Sequence, residues 1–205
     1  MSAVRTVEFF FSPGSRYSYL AASRMDGLAA KARCTVDWRP VNGPDIRALR
    51  GRDPFAGVPQ SGQYEWAYRE RDARRWAEYY GIAFREPPSH QFDFALLARA
   101  AFAAKRLGAA AVYGWRICAT VYGSAVWPVD EAACVAVATE VGLAPNEFTA
   151  TLRDPETARG LASAAAEAVE RGAFGVPTFF VGDEMFWGND RLVLLERALE
   201  RDSRS

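Results

Sequence analysis

The chain has 205 residues, half of them hydrophobic, and its 25 basic side chains balance 25 acidic ones. That length and apolar fraction suit one domain with a large core, or a domain carrying a large insertion. A net charge of zero offers no basic face for nucleic acid and no acidic tail for a cationic partner.

No apolar run approaches the roughly 20 residues that a membrane span needs, and no secretory leader is read before Phe9. Cys34, Cys118 and Cys134 are widely spaced and form no Cys-x-x-Cys pair. A soluble, cytoplasmic protein is expected, with those cysteines as inert packing residues. His90 is the only histidine, so neither a histidine triad nor a multi-histidine metal site is expected.

Val4–Phe11 reads as a buried strand of β-branched and aromatic residues. Ser12-Pro13-Gly14-Ser15 breaks it, and Tyr17–Ala30 carries apolar residues at helical spacing, with the helix starting near Ser15. Cys34–Val41 reads as a second strand, parallel to the first by the right-handed crossover rule. From Asn42 to about Pro59, glycines and prolines without periodicity read as a loop. Helices are predicted over Tyr64–Tyr80, capped by Gly81, and over Phe92–Leu107 and Ala109–Tyr122. Glu86-Pro87-Pro88-Ser89 reads as a break between them. Asp130 caps a further helix to Val141, and Asp154-Pro155-Glu156 opens one that runs to Arg171.

Phe174–Gly182 reads as a turn feeding a short buried strand, with Pro177 at its entrance. Gly182-Asp183 is a hairpin turn into a last strand, Glu184–Trp187. Asn189 or Asp190 caps a final helix through Leu199. The order is βαβ, a helical block, then ββα. This predicts an α/β thioredoxin-like fold with a large all-helical insertion. Residues 1–42 and 172–205 form the thioredoxin-like domain and 43–171 the insertion, packed as one body.

In such a fold the working group sits where the first helix begins, and Val176-Pro177-Thr178 has the look of a cis-proline loop facing it. Here that place holds Ser15-Arg16-Tyr17-Ser18. Serine cannot form a disulfide, so dithiol exchange is excluded at this point. Its hydroxyl can donate to a thiolate supplied by a cofactor, or it can simply cap the helix.

Phe9-Phe10-Phe11-Ser12-Pro13-Gly14-Ser15-Arg16-Tyr17-Ser18-Tyr19-Leu20 resembles the N-terminal motif of the 2-hydroxychromene-2-carboxylate isomerases. These are relatives of the kappa-class glutathione transferases and of DsbA. Gly172–Phe179 and Met185-Phe186-Trp187-Gly188-Asn189-Asp190-Arg191 are similar to two further motifs of that family, in the same order. The resemblance implies a glutathione-dependent cis-trans isomerase of an aromatic-pathway intermediate, working by thiol addition and elimination. It makes Ser15 the catalytic residue, donating to the glutathione sulfur. The Val176 backbone, turned by Pro177, would pair with the cysteinyl backbone, and Asn189 and Asp190 would hold the γ-glutamyl end. It also implies a small aromatic substrate and a possible homodimer.

Arg16 stands where the family has proline, either as a contact to a substrate or thiol carboxylate or as a solvated surface residue, with Tyr17 beside it. Ser12-Pro13 offers a rival alignment with Ser12 as the active serine. The family's lysine and asparagine after the second strand have no counterpart, although Arg52 carries charge there. Another low-molecular-weight thiol therefore stays open as the cofactor. A kappa-like transferase and a non-catalytic binding module stay open as functions. Trp66, Tyr68, Trp76, Tyr113, Trp115, Tyr122 and Trp127 supply aromatic surface for a flat substrate, or for the core.

Overall fold

In the computed structural model, which describes residues 4–51, 65–88 and 91–201, four strands make one mixed sheet in the order β2-β1-β3-β4. They are β1 (Thr6–Phe11), β2 (Thr35–Pro40), β3 (Thr178–Val181) and β4 (Glu184–Trp187). β1 is parallel to β2 and antiparallel to β3, and β4 is antiparallel to β3. This is the βαβ…ββα arrangement read from the sequence.

Why these strands pair in this register is visible in one row of side chains. Trp38, Phe9, Phe179 and Phe186 lie opposite one another across all four strands. The Phe9 ring stacks on Phe179 at 5.0 Å and meets the Trp38 ring edge-on at 5.0 Å. A one-residue slip would carry every one of these rings to the other face. On that other face Phe10 meets Phe180 edge-on at 5.6 Å. Arg39 and Arg171 lie over those two rings, and both pair with Glu8 and Glu167.

Helices cover both faces. α1 (Arg16–Ala22), α2 (Met25–Ala32), α5 (Phe94–Arg106) and α6 (Ala110–Tyr122) contribute to the cluster around Phe9 and Phe11. So do α7 (Glu131–Glu140), α8 (Pro145–Arg153) and α10 (Leu192–Arg201). α3 (Gly43–Leu49) and α9 (Pro155–Glu170) close over Phe10 and Phe180. α4 (Trp66–Tyr80) packs Ala73 and Ala77 against Leu20 of α1. The block between β2 and β3 therefore shares its buried surface with the sheet on both sides.

Several boundaries differ from the sequence reading. The single helix predicted through Ala30 is two, α1 and α2. At the joint the Ser23 hydroxyl donates to the Leu20 carbonyl at 2.7 Å and the Arg24 N–H reaches only back to Ala21. Serine competes here with the regular helical ladder. α3 occupies part of the predicted loop, with Asn42 before it and Pro44 in its first turn. α8 was not predicted, although Pro145 marks its start. α5 begins after Asp93, whose carboxylate accepts from the Ala95 N–H at 2.8 Å, while Phe92 bridges to Val129. Asn189 and Asp190 cap no helix, because a 3₁₀ turn, Asn189–Arg191, leads into α10. Arg52, Tyr64, His90 and the last four residues lie outside the described residues.

Asp154 caps α9 as predicted, accepting from the Glu156 N–H at 2.9 Å and from Arg106 at 2.7 Å. The first of these, then the second, holds its carboxyl below the usual aspartate range. A lowered folded-state value gives stability that is complete above the unfolded value and is lost as pH falls through the folded one. The melting-temperature gap between the protein and Asp154→Ala is therefore expected to be full at neutral pH. It should close on acidification below about pH 4, as followed by thermal melts in a pH series.

Candidate functional site

β1, β2 and β4 end, and β3 begins, at the same edge of the sheet, so four loops gather there. The edge beyond the carboxyl ends of parallel strands is where open α/β sheets take ligands. Extending the registers past the last paired residues sets Ser12 opposite Val176 and Val176 opposite Asn189. The two ends of the chain thus meet.

Ser15 has extended backbone and caps α1, its Oγ accepting from the Ser18 N–H at 3.2 Å. With a lone pair engaged there, its own proton remains free to donate outward. The residue is half-buried. The turn that carries it is tethered: Tyr122, fully buried, donates its hydroxyl to the Gly14 carbonyl at 2.6 Å. A Cβ at Gly14 would sit 2.5 Å from Cδ1 of the exposed Phe94 ring, so a larger residue there would have to displace that ring.

Ser12 differs. It is 1% exposed, its Oγ has no partner, and it lies against the Gly43 backbone beside Val176.

The Val176–Pro177 bond is cis. Among the described residues, neither the Val176 N–H nor its carbonyl makes a hydrogen bond. Pro177 is fixed on its other side, its carbonyl accepting from the Gly188 N–H at 2.9 Å.

Asn189 is buried, and its carbonyl accepts from the Tyr80 hydroxyl at 3.3 Å. Its side-chain Nδ2 has no partner. Asp190 is exposed and, among the described residues, pairs with its neighbour Arg191 alone, at 2.7 Å.

Arg16 is no solvated surface residue. It is 5% exposed, and its Nη2 lies 3.0 Å from Glu86 Oε1, itself on a side chain only 8% exposed. Trp66 lies over the guanidinium at 4.0 Å. Among the described residues, Arg16 Nη1 and Glu86 Oε2 have no partner. Burial pushes the Glu86 carboxyl above the usual range, against the pull of Arg16. Tyr17 donates to Asp72 at 2.9 Å, and burial followed by that bond raises its phenol to about 12.

Sequence reasoning missed Glu86, because beside two prolines it read as punctuation. Tyr80 and Tyr122 carried only a helical spacing.

Of the aromatics considered for a pocket, Tyr113, Trp115, Tyr122 and Trp127 go to the core or its margin. Trp66 is exposed next to Ser15's neighbour. The three cysteines are buried, and burial raises their thiols, Cys134 to about 12. No protein thiolate is therefore available at neutral pH. Among the described residues no cluster of histidine, cysteine and carboxylate side chains is arranged to hold a metal ion, and no helix is long and apolar enough to cross a membrane.

The pattern of the DSBA-like thioredoxin domain matches residues 6–200. The chain is 30% identical over 198 residues to a 2-hydroxychromene-2-carboxylate isomerase of Pseudomonas putida, covering 95% of this chain and 94% of that protein. It is 29% identical over 199 residues to the enzyme of the same name from Sphingobium xenophagum, covering 95% and 98%. A solved 2-hydroxychromene-2-carboxylate isomerase superposes with a TM-score of 0.85 at 29% identity, covering 97% and 96%. The cytosolic disulfide reductase DsbM of Pseudomonas aeruginosa, solved with GSH, shares the fold at a TM-score of 0.67 and 19% identity, covering 98% and 100%.

Proposed function

Because the chain belongs to the DSBA-like thioredoxin domain family, and within it to the 2-hydroxychromene-2-carboxylate isomerases, we propose that this isomerase interconverts a 2-hydroxychromene-2-carboxylate and the matching o-hydroxybenzylidene pyruvate, using glutathione or another small thiol as cofactor. The reading rests above all on a serine hydroxyl with its proton free, at the sheet edge where a cis-proline loop presents an unpaired backbone.

A thiol tripeptide suits the groups left without partners at that edge. Bound there, it would supply a nucleophilic thiolate for reversible addition to the conjugated double bond, which is what cis-trans interconversion needs.

The chain's own residues do the rest. Ser15 donates to the sulfur and favours its anionic form. The Val176 N–H and carbonyl pair with the peptide backbone in strand fashion. Asn189 Nδ2 donates to the γ-glutamyl carboxylate, and Asp190 accepts from the ammonium. Its present partner, Arg191, is an exposed neighbour of little energetic worth. Arg16 and Tyr17 stand on the substrate side, next to Ser15. Serine at position 15 and the buried cysteines leave the protein no dithiol chemistry of its own.

The test is spectroscopic. An o-hydroxybenzylidene pyruvate is mixed with the protein with and without glutathione, then with other thiols. Interconversion that requires a thiol and leaves no sulfur in the product is expected. A stable thiol conjugate detected by mass spectrometry would make the protein a transferase instead. No turnover with any thiol would overturn the reading.

A further inference from the structure

The buried ion pair beside Ser15 is only half made. Arg16 and Glu86 touch through Nη2 and Oε1, and among the described residues Arg16 Nη1 and Glu86 Oε2 are buried without partners. An unsatisfied buried polar group costs roughly 1–3 kcal/mol, and more when charged, so two on one ion pair point to a missing third party. That party must accept a hydrogen bond from a guanidinium and donate one to a carboxylate at the same time.

A carboxylate alone does only the first and is repelled by Glu86. An alcohol alone does both weakly. A hydroxyl next to a carboxylate does both well: the carboxylate accepts from Arg16 Nη1 and the hydroxyl donates to Glu86 Oε2. Trp66, 61% exposed and stacked on the guanidinium, adds a flat apolar face for a ring.

We infer that Arg16 and Glu86 together form the specificity couple of this site, reading a hydroxyl and a carboxylate attached to the same carbon of an aryl hydroxy acid that lies on Trp66. The inference rests on the isomerase reading for its place in a reaction, but not for the binding it asserts. Arg16 and Glu86 are not assigned any part in the thiol chemistry.

The test is calorimetric titration of the full chain with mandelate, an aryl acid whose hydroxyl and carboxylate are attached to the same carbon. Phenylacetate, which lacks the hydroxyl, and O-methylmandelate, which cannot donate, are the comparisons. Mandelate is expected to bind roughly tenfold to a hundredfold more tightly than either.

Removing one partner alone would strand a buried charge, so the variant is the neutral double substitution Arg16→Gln with Glu86→Gln. It should lose that preference and raise KM far more than it lowers kcat, with glutathione titrating as before. Trp66→Ala, a change at an exposed position, should weaken mandelate without restoring phenylacetate, and keeps the proposal testable if the double variant does not fold.

Equal binding of mandelate and phenylacetate, or no binding of mandelate, would overturn the proposal, with the two free atoms then left to a bridging water. So would a double variant with unchanged KM and unchanged preference. If mandelate discriminates as expected but no chromene carboxylate turns over, the isomerase reading fails and the couple stands. If turnover is seen and the double variant matches the parent, the reverse holds.

Discussion

Ser15→Ala is expected to lower kcat/KM for the isomerisation by about 10²–10³-fold, the usual loss when one donor to a developing or stored anion is removed. The hydroxyl is placed for that role by a division of labour at one oxygen. A lone pair takes the Ser18 N–H, and the proton is left for the ligand. Alanine also removes a helix cap, which by itself costs about 1 kcal/mol. Ser15→Gly separates the two effects, because glycine caps nearly as well as serine yet donates nothing from its side chain. Both variants should therefore be slow, and only the alanine should be appreciably less stable.

Ser12→Ala is the control. Its oxygen is buried without a partner, so its loss should leave activity within about twofold and stability unchanged or improved. Steady-state kinetics on the three variants decide the matter. If Ser15→Gly turned over at the parent rate while Ser12→Ala did not, the rival alignment would be right and Ser15 would be a cap alone.

Phe9→Ala is expected to destabilise the protein by about 3–5 kcal/mol, a large share of a typical domain's margin. Phe9 is fully buried at the middle of β1, one of the two inner strands of the sheet. Its ring is in contact with Phe11, Phe179 and Trp38, with centroids 5.0–5.1 Å away. Those contacts join β2 to β1 and β1 to β3, so the cavity opens where both halves of the sheet are held together. Phe9→Leu keeps most of the volume and should lose distinctly less. Urea unfolding followed by circular dichroism measures both, and a Phe9→Ala loss under about 1 kcal/mol would mean that the row does not carry the sheet.

Much of this architecture was legible because it depends on local pattern. Val4–Phe11 and Phe174–Gly182 are short apolar runs closed by glycine, proline or serine, and each became a strand. Asp130, Asp154 and Gly81 announced helix ends with side chains whose capping chemistry is local. Of the candidate site, the cap at Ser15 and the cis bond before Pro177 were legible, because both are written in local turn chemistry. What stayed hidden depends on distance in sequence. Nothing near Arg16 announces that Glu86 will bury itself against it, and nothing in Tyr122 shows that it will tie down Gly14. α3 was missed because Gly43-Pro44 reads equally well as a turn, and Asn189 was taken for a cap because the 3₁₀ turn it opens has no distinct signal.

The strand order has a consequence for how the molecule is made. β1 is synthesised long before its neighbour β3, with the whole helical block between them. Until then one edge of a strand reading Thr-Val-Glu-Phe-Phe-Phe has no partner. An unpaired aromatic edge of that kind is a template for intermolecular pairing. Chains stopped short of Thr178 should collect in the insoluble fraction, and the full-length protein should gain more from slow, cool expression or a holding chaperone than its size alone suggests.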